Sequence, residues 1–394
     1  MFRTWIVLCG VTFAASLILT PACAQRHSEQ EHIAHLIGRL GSDDYSRRSE
    51  AIDALVKIGR PAVQPLIRAL SDYDTRVIAG AAEALGELRA TDAAPAMAKL
   101  LSHERAWIAA VNHLHELGDA GLIAATDVFL GGPDRHARQH GALALGRFGL
   151  EGLQVLLVEG LVRSDSAQTR ANACRGLQLG IDAKGPDWLP DDFIVDAERE
   201  LANVLLNDTL EVRAWAAGAL GELQLHRSEE PLIQAIEDFH DMLDDSDVIG
   251  AERAQVEWGL KGALSSIGQI GGPKALEVLL CHLDSENQDI VTWAASGLGE
   301  LGSAEAIPAL ERVVTTAPDQ WSRRAACTAL MRIGGPQALA VLKSVAENDP
   351  NEAVREAAGK AAQRLQRQQD SQAQLFLPPS THGGDGKPCD TFTA

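Results

Sequence analysis

Apolar residues along most of this chain recur three or four positions apart, the period of one helix face rather than of a strand. Around Leu220, the residues Val212, Ala216, Ala219 and Leu223 stand at offsets −8, −4, −1 and +3, which places them on a single helical stripe. A second helix is predicted shortly afterwards at Pro231-Leu-Ile-Gln-Ala-Ile236. Its proline sits in the first turn, where a missing N–H has no intrahelical bond to lose. Glycines close the first helices: Gly59, Gly118, Gly149, Gly268 and Gly302 stand where left-handed caps are expected. Asp43, Asp134, Asp208 and Asp349 stand where N-caps are expected.

The same phrase keeps returning. Glu83-Ala-Leu-Gly-Glu-Leu88, Gly218-Ala-Leu-Gly-Glu-Leu223 and Gly297-Leu-Gly-Glu-Leu301 are its clearest copies, with looser ones such as Leu143-Ala-Leu-Gly-Arg-Phe-Gly149. Taking Leu55, Leu85, Leu114, Leu145, Gly176, Leu220, Leu264, Leu298, Leu330 and Ala362 as equivalent, the spacings are 30, 29, 31, 31, 44, 44, 34, 32 and 32 residues. A period near 31 with two stretched units describes an array of about ten helical hairpins. One hairpin has only one apolar stripe, so it must stack on its neighbours to cover it. The expected fold class is all-α, an α–α superhelix over residues 42–368, with insertions near 182–200 and 238–252. Residues 25–41 read as a capping helix with Ile33, Leu36, Ile37 and Leu40 on one face, and the Gln, Ser, Gly and paired Pro of 369–394 predict a disordered tail.

The run Val212-Arg213-Ala214-Trp215-Ala216-Ala217-Gly218-Ala219-Leu220-Gly221, echoed by Val354-Arg355-Glu356-Ala357-Ala358, resembles the HEAT-repeat family, in particular its short bilin-lyase-type (PBS lyase) HEAT-like units. The resemblance spans roughly residues 30–368 and implies a right-handed HEAT/armadillo-like solenoid. It implies little about activity, because such solenoids serve many functions. In similar repeats an arginine seven residues before the central leucine bridges to an acidic loop residue or a carbonyl of the adjacent unit. The resemblance therefore gives Arg48, Arg138, Arg213, Arg323 and Arg355 a structural, inter-repeat role. Ile78, Trp107, Thr169, Glu257 and Val291 occupy that slot elsewhere.

The amino terminus changes the picture. Arg3, an apolar run over residues 5–19 and Ala22-Cys23-Ala24 follow the order of a secretory signal peptide over 1–24. The run is too short for a spanning helix, and no later segment is apolar enough for one. Export to the periplasm or the medium is expected, with lipidation of Cys23 as a lesser alternative. With 54 acidic and 35 basic side chains the net charge is −19, evenly spread, which excludes the basic footprint of a nucleic-acid binder.

No catalytic motif stands out, and no cofactor is expected. H-E-x-x-H, G-x-S-x-G, the Walker loop and G-x-G-x-x-G are all absent, and none of the six cysteines forms a C-x-x-C pair. His136 and His140, spaced i and i+4, are weak metal candidates, since two ligands do not close a site. His103-Glu104 and His115-Glu116 are of interest because a HEAT-like di-iron hydroxylase family carries repeated His-Glu pairs, but the two fall at non-equivalent positions of their repeats. The acidic run from Glu237 to Asp247 lacks the alternating spacing of a calcium loop.

What remains is a surface. Trp215, Trp258, Trp293 and Trp321 fall in four consecutive units on the helix arc opposite the core stripe. They are expected either to form a ladder lining a groove for a protein or peptide partner, or to pack edgewise and stiffen the array. The reading that follows is an exported scaffold or adaptor without catalysis. The alternatives are an enzyme of the bilin-lyase or metal-dependent hydroxylase type, and a ligand-sensing module of an envelope assembly. The expected leader weighs against a bilin lyase, which acts inside the cell.

Overall fold

The computed structural model describes residues 21–375, with side chains described over 27–370. Residues 1–20 of the predicted leader (1–24) and residues 376–394 of the predicted tail (369–394) lie outside the described residues. The chain is an all-α solenoid, and among the described residues there is no strand. It divides into two compact units, 1–144 and 145–394.

The first unit holds α1 (Pro21–Arg39), α2 (Tyr45–Ile58), α3 (Arg60–Ala69), α4 (Thr75–Glu87), α5 (Ala94–Leu100), α6 (Trp107–His113), α7 (Asp119–Gly131) and nearly all of α8 (Arg135–Leu145). Ile33, Leu36 and Leu40 of α1 and its exit are buried, and Leu40 packs on Gly80, where a Cβ would lie 3.1 Å from its methyl. The core is aliphatic: Leu55, Leu66, Leu85, Met97 and Leu114 are fully buried, with Phe129 as the one large ring among them.

The second unit holds α9 (Leu150–Val155), α10 (Ala167–Asp182), α11 (Asp191–Asn207), α12 (Leu210–Leu223), α13 (Glu229–Asp244), α14 (Gly250–Ile270), α15 (Ala275–His282), α16 (Gln288–Leu301), α17 (Ile307–Thr316), α18 (Gln320–Ile333), α19 (Gly335–Asn348) and α20 (Glu352–Leu375). The even-numbered helices are the first helices of their hairpins. They pack on one another along their length, while the odd-numbered second helices touch over shorter stretches. The first-helix row is therefore the inner side of this unit's curve. Small residues allow the approach: a Cβ on Gly268 of α14 would stand 2.2 Å from the carbonyl oxygen of Gly297 in α16.

That contact corrects one expectation. Gly268 is not a left-handed cap: α14 runs on to Ile270 and the positive φ falls at Gly271, so Gly268 serves close approach instead. Gly59, Gly118, Gly149 and Gly302 do have positive φ. The equivalence of Gly176 also shifts by one residue, because Leu177 is the fully buried leucine of its unit. Among the expected N-caps, Asp134 accepts from the Ala137 amide, but the cap of α2 is Asp44 rather than Asp43. Asp43, Asp208 and Asp349 instead accept from arginines of neighbouring hairpins.

The second insertion is mostly helix. It lengthens α13 to 16 and α14 to 21 residues, against 8 for α15. In the first, Trp188 is half-buried, with Lys184 over its ring at 4.8 Å. At the far end, α20 continues to Leu375, into the expected tail. No Pro or Gly interrupts 360–375, whose Gln, Ala, Arg and Leu residues favour helix. No helix of the described residues is long and apolar enough to cross a membrane. Cys174 and Cys327 are buried, and burial pushes the Cys327 thiol up to about 12. Cys281 is exposed.

Candidate functional site

A helix ends with carbonyl groups that lack intrahelical donors, and a cation beside them is favoured by the helix dipole. The repeat arginines meet this need. Arg48 donates to the Ser42 carbonyl at 2.7 Å, Arg138 to Gly132 at 2.8 Å, Arg323 to Ala317 at 2.8 Å and Arg355 to Asp349 at 2.7 Å. Each reaches back to the chain just before its own helix. Arg213 differs: it donates to Leu205 O at 2.8 Å and to Asp238 at 2.9 Å, and lies 4.7 Å over the Phe239 ring. Arg323 also grips the carboxylate of Asp349, at 2.9 and 3.3 Å.

Arg170 makes the same clasp and is missing from the arginines expected from sequence. It donates to Ser164 O and, through Nη2 at 2.9 Å, to Asp208. With Leu177 as the equivalent leucine it stands at the repeat's arginine position; taking Gly176 hid it behind Thr169.

The histidines have local work. His140 is buried, its Nδ1 lies 2.7 Å from the Leu101 carbonyl, and its ring stacks flat on Trp107 at 4.1 Å. His136 lies 6.4 Å away, tilted. His103 accepts from the amides of Arg105 and Ala106, while Glu116 pairs with His113 at 3.4 Å, so the two His-Glu dipeptides do different jobs. Among the described residues no group of three or more His, Cys, Asp or Glu could hold a metal. The acidic run borders a cavity of about 570 Å³ shared with Arg253 and His282, whose ring meets His240 edge-on at 5.4 Å.

The four tryptophans all stand on first helices of the second unit. Trp258 and Trp321 are 37% and 58% exposed, and Trp215 and Trp293 are half-buried. Trp215 and Trp258 touch edge-to-face at 4.4 Å, so the row begins with a joined pair rather than two separate rungs. Arginines cover two of the rings: Arg175 lies 4.8 Å over Trp215, and Arg324 lies 4.9 Å over Trp321. These partners cannot be read from an offset, because they depend on how far neighbouring helices are displaced.

On α12 and α16 an acid follows the tryptophan by seven residues, Glu222 after Trp215 and Glu300 after Trp293. Burial, with Asp182 and Glu300 nearby, raises the Glu222 pKa, although a Gln178 hydrogen bond opposes this. An acid with a raised folded pKa takes its proton earlier in the folded state. Stability therefore increases as pH falls through that value towards the unfolded one, about 4.3. Asp208 behaves oppositely. Burial pushes it up, but hydrogen bonds from Arg170 and the Thr209 amide outweigh this and hold it low. Its contribution is present above about pH 3.9 and is lost as pH falls through the lowered value. Glu222→Gln is expected to raise the melting temperature at pH 7 by about 1–3 °C. The gap from the parent should close near pH 4 in thermal scans, and a lower melting temperature at pH 7 would contradict the assignment.

Comparison with known proteins adds the family. A HEAT-repeat family model matches residues 33–111 and 283–363, and the PBS lyase HEAT-like repeat model matches 212–238. No curated protein sequence matches the chain. Similar solved structures include an engineered protein, 21% identical, covering 85% of this chain and 98% of that one at a TM-score of 0.35. Another is human deoxyhypusine hydroxylase in complex with glycerol, 18% identical, covering 72% and 99% at 0.28. A third is a chain from the structure of Kap95p bound to RanGDP, 12% identical, covering 87% and 52% at 0.48.

Proposed function

We propose, because the chain is a HEAT-repeat protein with PBS-lyase-type units, that it is an exported, non-catalytic scaffold whose second unit holds a protein or peptide partner on its first-helix face. The observation that carries this reading is the exposure of Trp258 and Trp321 at 37% and 58% on the inner row of helices. Aromatics make up only 4% of the chain, and its core is filled by aliphatic residues. Indoles left half in water on an inner face are the kind of anchor that recognition surfaces use. The engaged state of His140, His103 and Glu116 supports scaffold over enzyme, since these side chains already serve the fold.

Export is read from Arg3, the apolar run over 5–19 and Ala22-Cys23-Ala24, and fractionation of cells making the tagged full chain tests it. For binding, a partner is captured by cross-linking in the native cell and its affinity measured against the full chain. Trp258→Ala with Trp321→Ala is expected to weaken that affinity at least about tenfold with the melting temperature within about 2 °C. Unchanged affinity together with a lower melting temperature would mean that the indoles only pack.

A further inference from the structure

On the same face, α10 carries two donor side chains, Arg175 and Asn172, for which the described residues supply too few acceptors. The Arg175 guanidinium is half-buried and stacks on Trp215 at 4.8 Å. It makes no hydrogen bond or ion pair to any described residue, in contrast to the clasp arginines Arg170, Arg213 and Arg323. Burial lowers its pKa, as expected for a guanidinium short of water and of a counter-charge. Three residues earlier, Asn172 is 4% exposed. Its oxygen accepts from Gln168 at 3.3 Å, but its Nδ2 is buried without an acceptor. A buried unsatisfied amide costs roughly 1–3 kcal/mol, so it calls for an explanation.

Register joins the two. Counted from Leu177, Asn172 stands at offset −5, the position that Trp215 and Trp293 hold in their own units. Residues i and i+3 are neighbours on a helix, so Arg175 and Asn172 share one face of α10. Guanidinium and amide N–H groups can only donate; both lack an acceptor with two oxygens. Beside them, the Trp215–Trp258 corner offers an apolar wall.

We propose that Arg175 and Asn172 form a carboxylate site on this face, taking an Asp or Glu side chain of a partner segment whose flanking apolar residue rests on Trp215 and Trp258. This inference rests on the groove reading above and names the chemistry of its partner. The carboxylate would face Arg175 in a charge-assisted, forked geometry. It reaches the Asn172 amide when the Arg175 side chain, which no described hydrogen bond or ion pair holds, turns aside to receive it. The tryptophan row continues on later helices past this point, so the segment runs through the site rather than ending in it.

The test uses the full chain labelled with 5-fluorotryptophan and two capped tripeptides, acetyl-Leu-Glu-Leu-amide and acetyl-Leu-Gln-Leu-amide, titrated by fluorine NMR. The glutamate peptide is expected to shift the Trp215 and Trp258 resonances with at least tenfold higher affinity than the glutamine peptide. In Arg175→Gln that preference should vanish, and Arg175→Lys, which keeps the charge and most of the packing, should retain part of it. Equal affinities for the two peptides would overturn the carboxylate site and leave the groove reading intact. So would the absence of any shift, or tighter binding of acetyl-Leu-Gln-Leu with a free C-terminus. Failure of the groove reading is seen separately, as unchanged affinity of the captured partner for the Trp258→Ala, Trp321→Ala chain.

Discussion

Arg323→Ala is expected to lower the stability of the second unit by about 3–5 kcal/mol, the range for removing one member of a buried ion pair. Arg323 and Asp349 are each 8% exposed, and the guanidinium makes four donations: two to the Asp349 carboxylate and one each to the carbonyls of Ala317 and Pro318. Truncation strands a buried carboxylate and uncovers the end of α17 together. Asp349→Ala should cost a similar amount, and the double variant less than the sum, because each single change leaves the other charge unpaired. The surface pair Arg312–Asp284, both largely exposed, sets the scale: breaking it should cost less than about 1 kcal/mol. Repeat arrays can lose cooperativity, so the reading should come from hydrogen exchange of the α18–α20 amides as well as from denaturant curves. A loss below about 1 kcal/mol for Arg323→Ala would contradict the clasp.

Gly268→Ala carries an opposite sign from ordinary helix chemistry. In a free helix interior the change stabilises by about 1 kcal/mol. Here the added Cβ would sit 2.2 Å from the Gly297 oxygen and 2.8 Å from its carbonyl carbon, both backbone atoms that no rotamer change can move. The α14 and α16 helices must separate, so a net destabilisation of about 2–3 kcal/mol is expected. Gly262 on the same helix is the control. A Cβ there would meet Ala214 O at 3.5 Å and Ala217 Cβ at 3.8 Å, ordinary contacts, so Gly262→Ala should be neutral or stabilising. Equal effects at the two glycines in thermal and urea unfolding would show that the seam is not close-packed.

The repeat was legible because its leucines are buried wherever the phrase recurs: Leu55, Leu85, Leu220, Leu264 and Leu330 are all fully buried. What the sequence concealed depends on the neighbouring hairpin. Gly59 and Gly268 look alike four residues past a buried leucine, yet one turns the chain at φ 77 and the other admits a second backbone. Asp208 and Asp349 read as helix caps because Asp before a helix usually is one; an arginine from the preceding hairpin takes them instead. The offsets placed four tryptophans on one arc but could not show that two of them touch, or that Arg175 covers one. The degenerate unit hid most, since choosing Gly176 over Leu177 displaced Arg170 and Asn172 from the positions that explain them.

Hydroxyl-radical footprinting of the chain, alone and with its captured partner, tests most directly whether the inner helix row presents its indoles outward. Trp258 and Trp321 should be oxidised readily in the free chain and protected in the complex, while the fully buried Phe129 and Phe239 stay unmodified in both. Slow oxidation of both tryptophans in the free chain, or identical oxidation with and without the partner, would contradict the account.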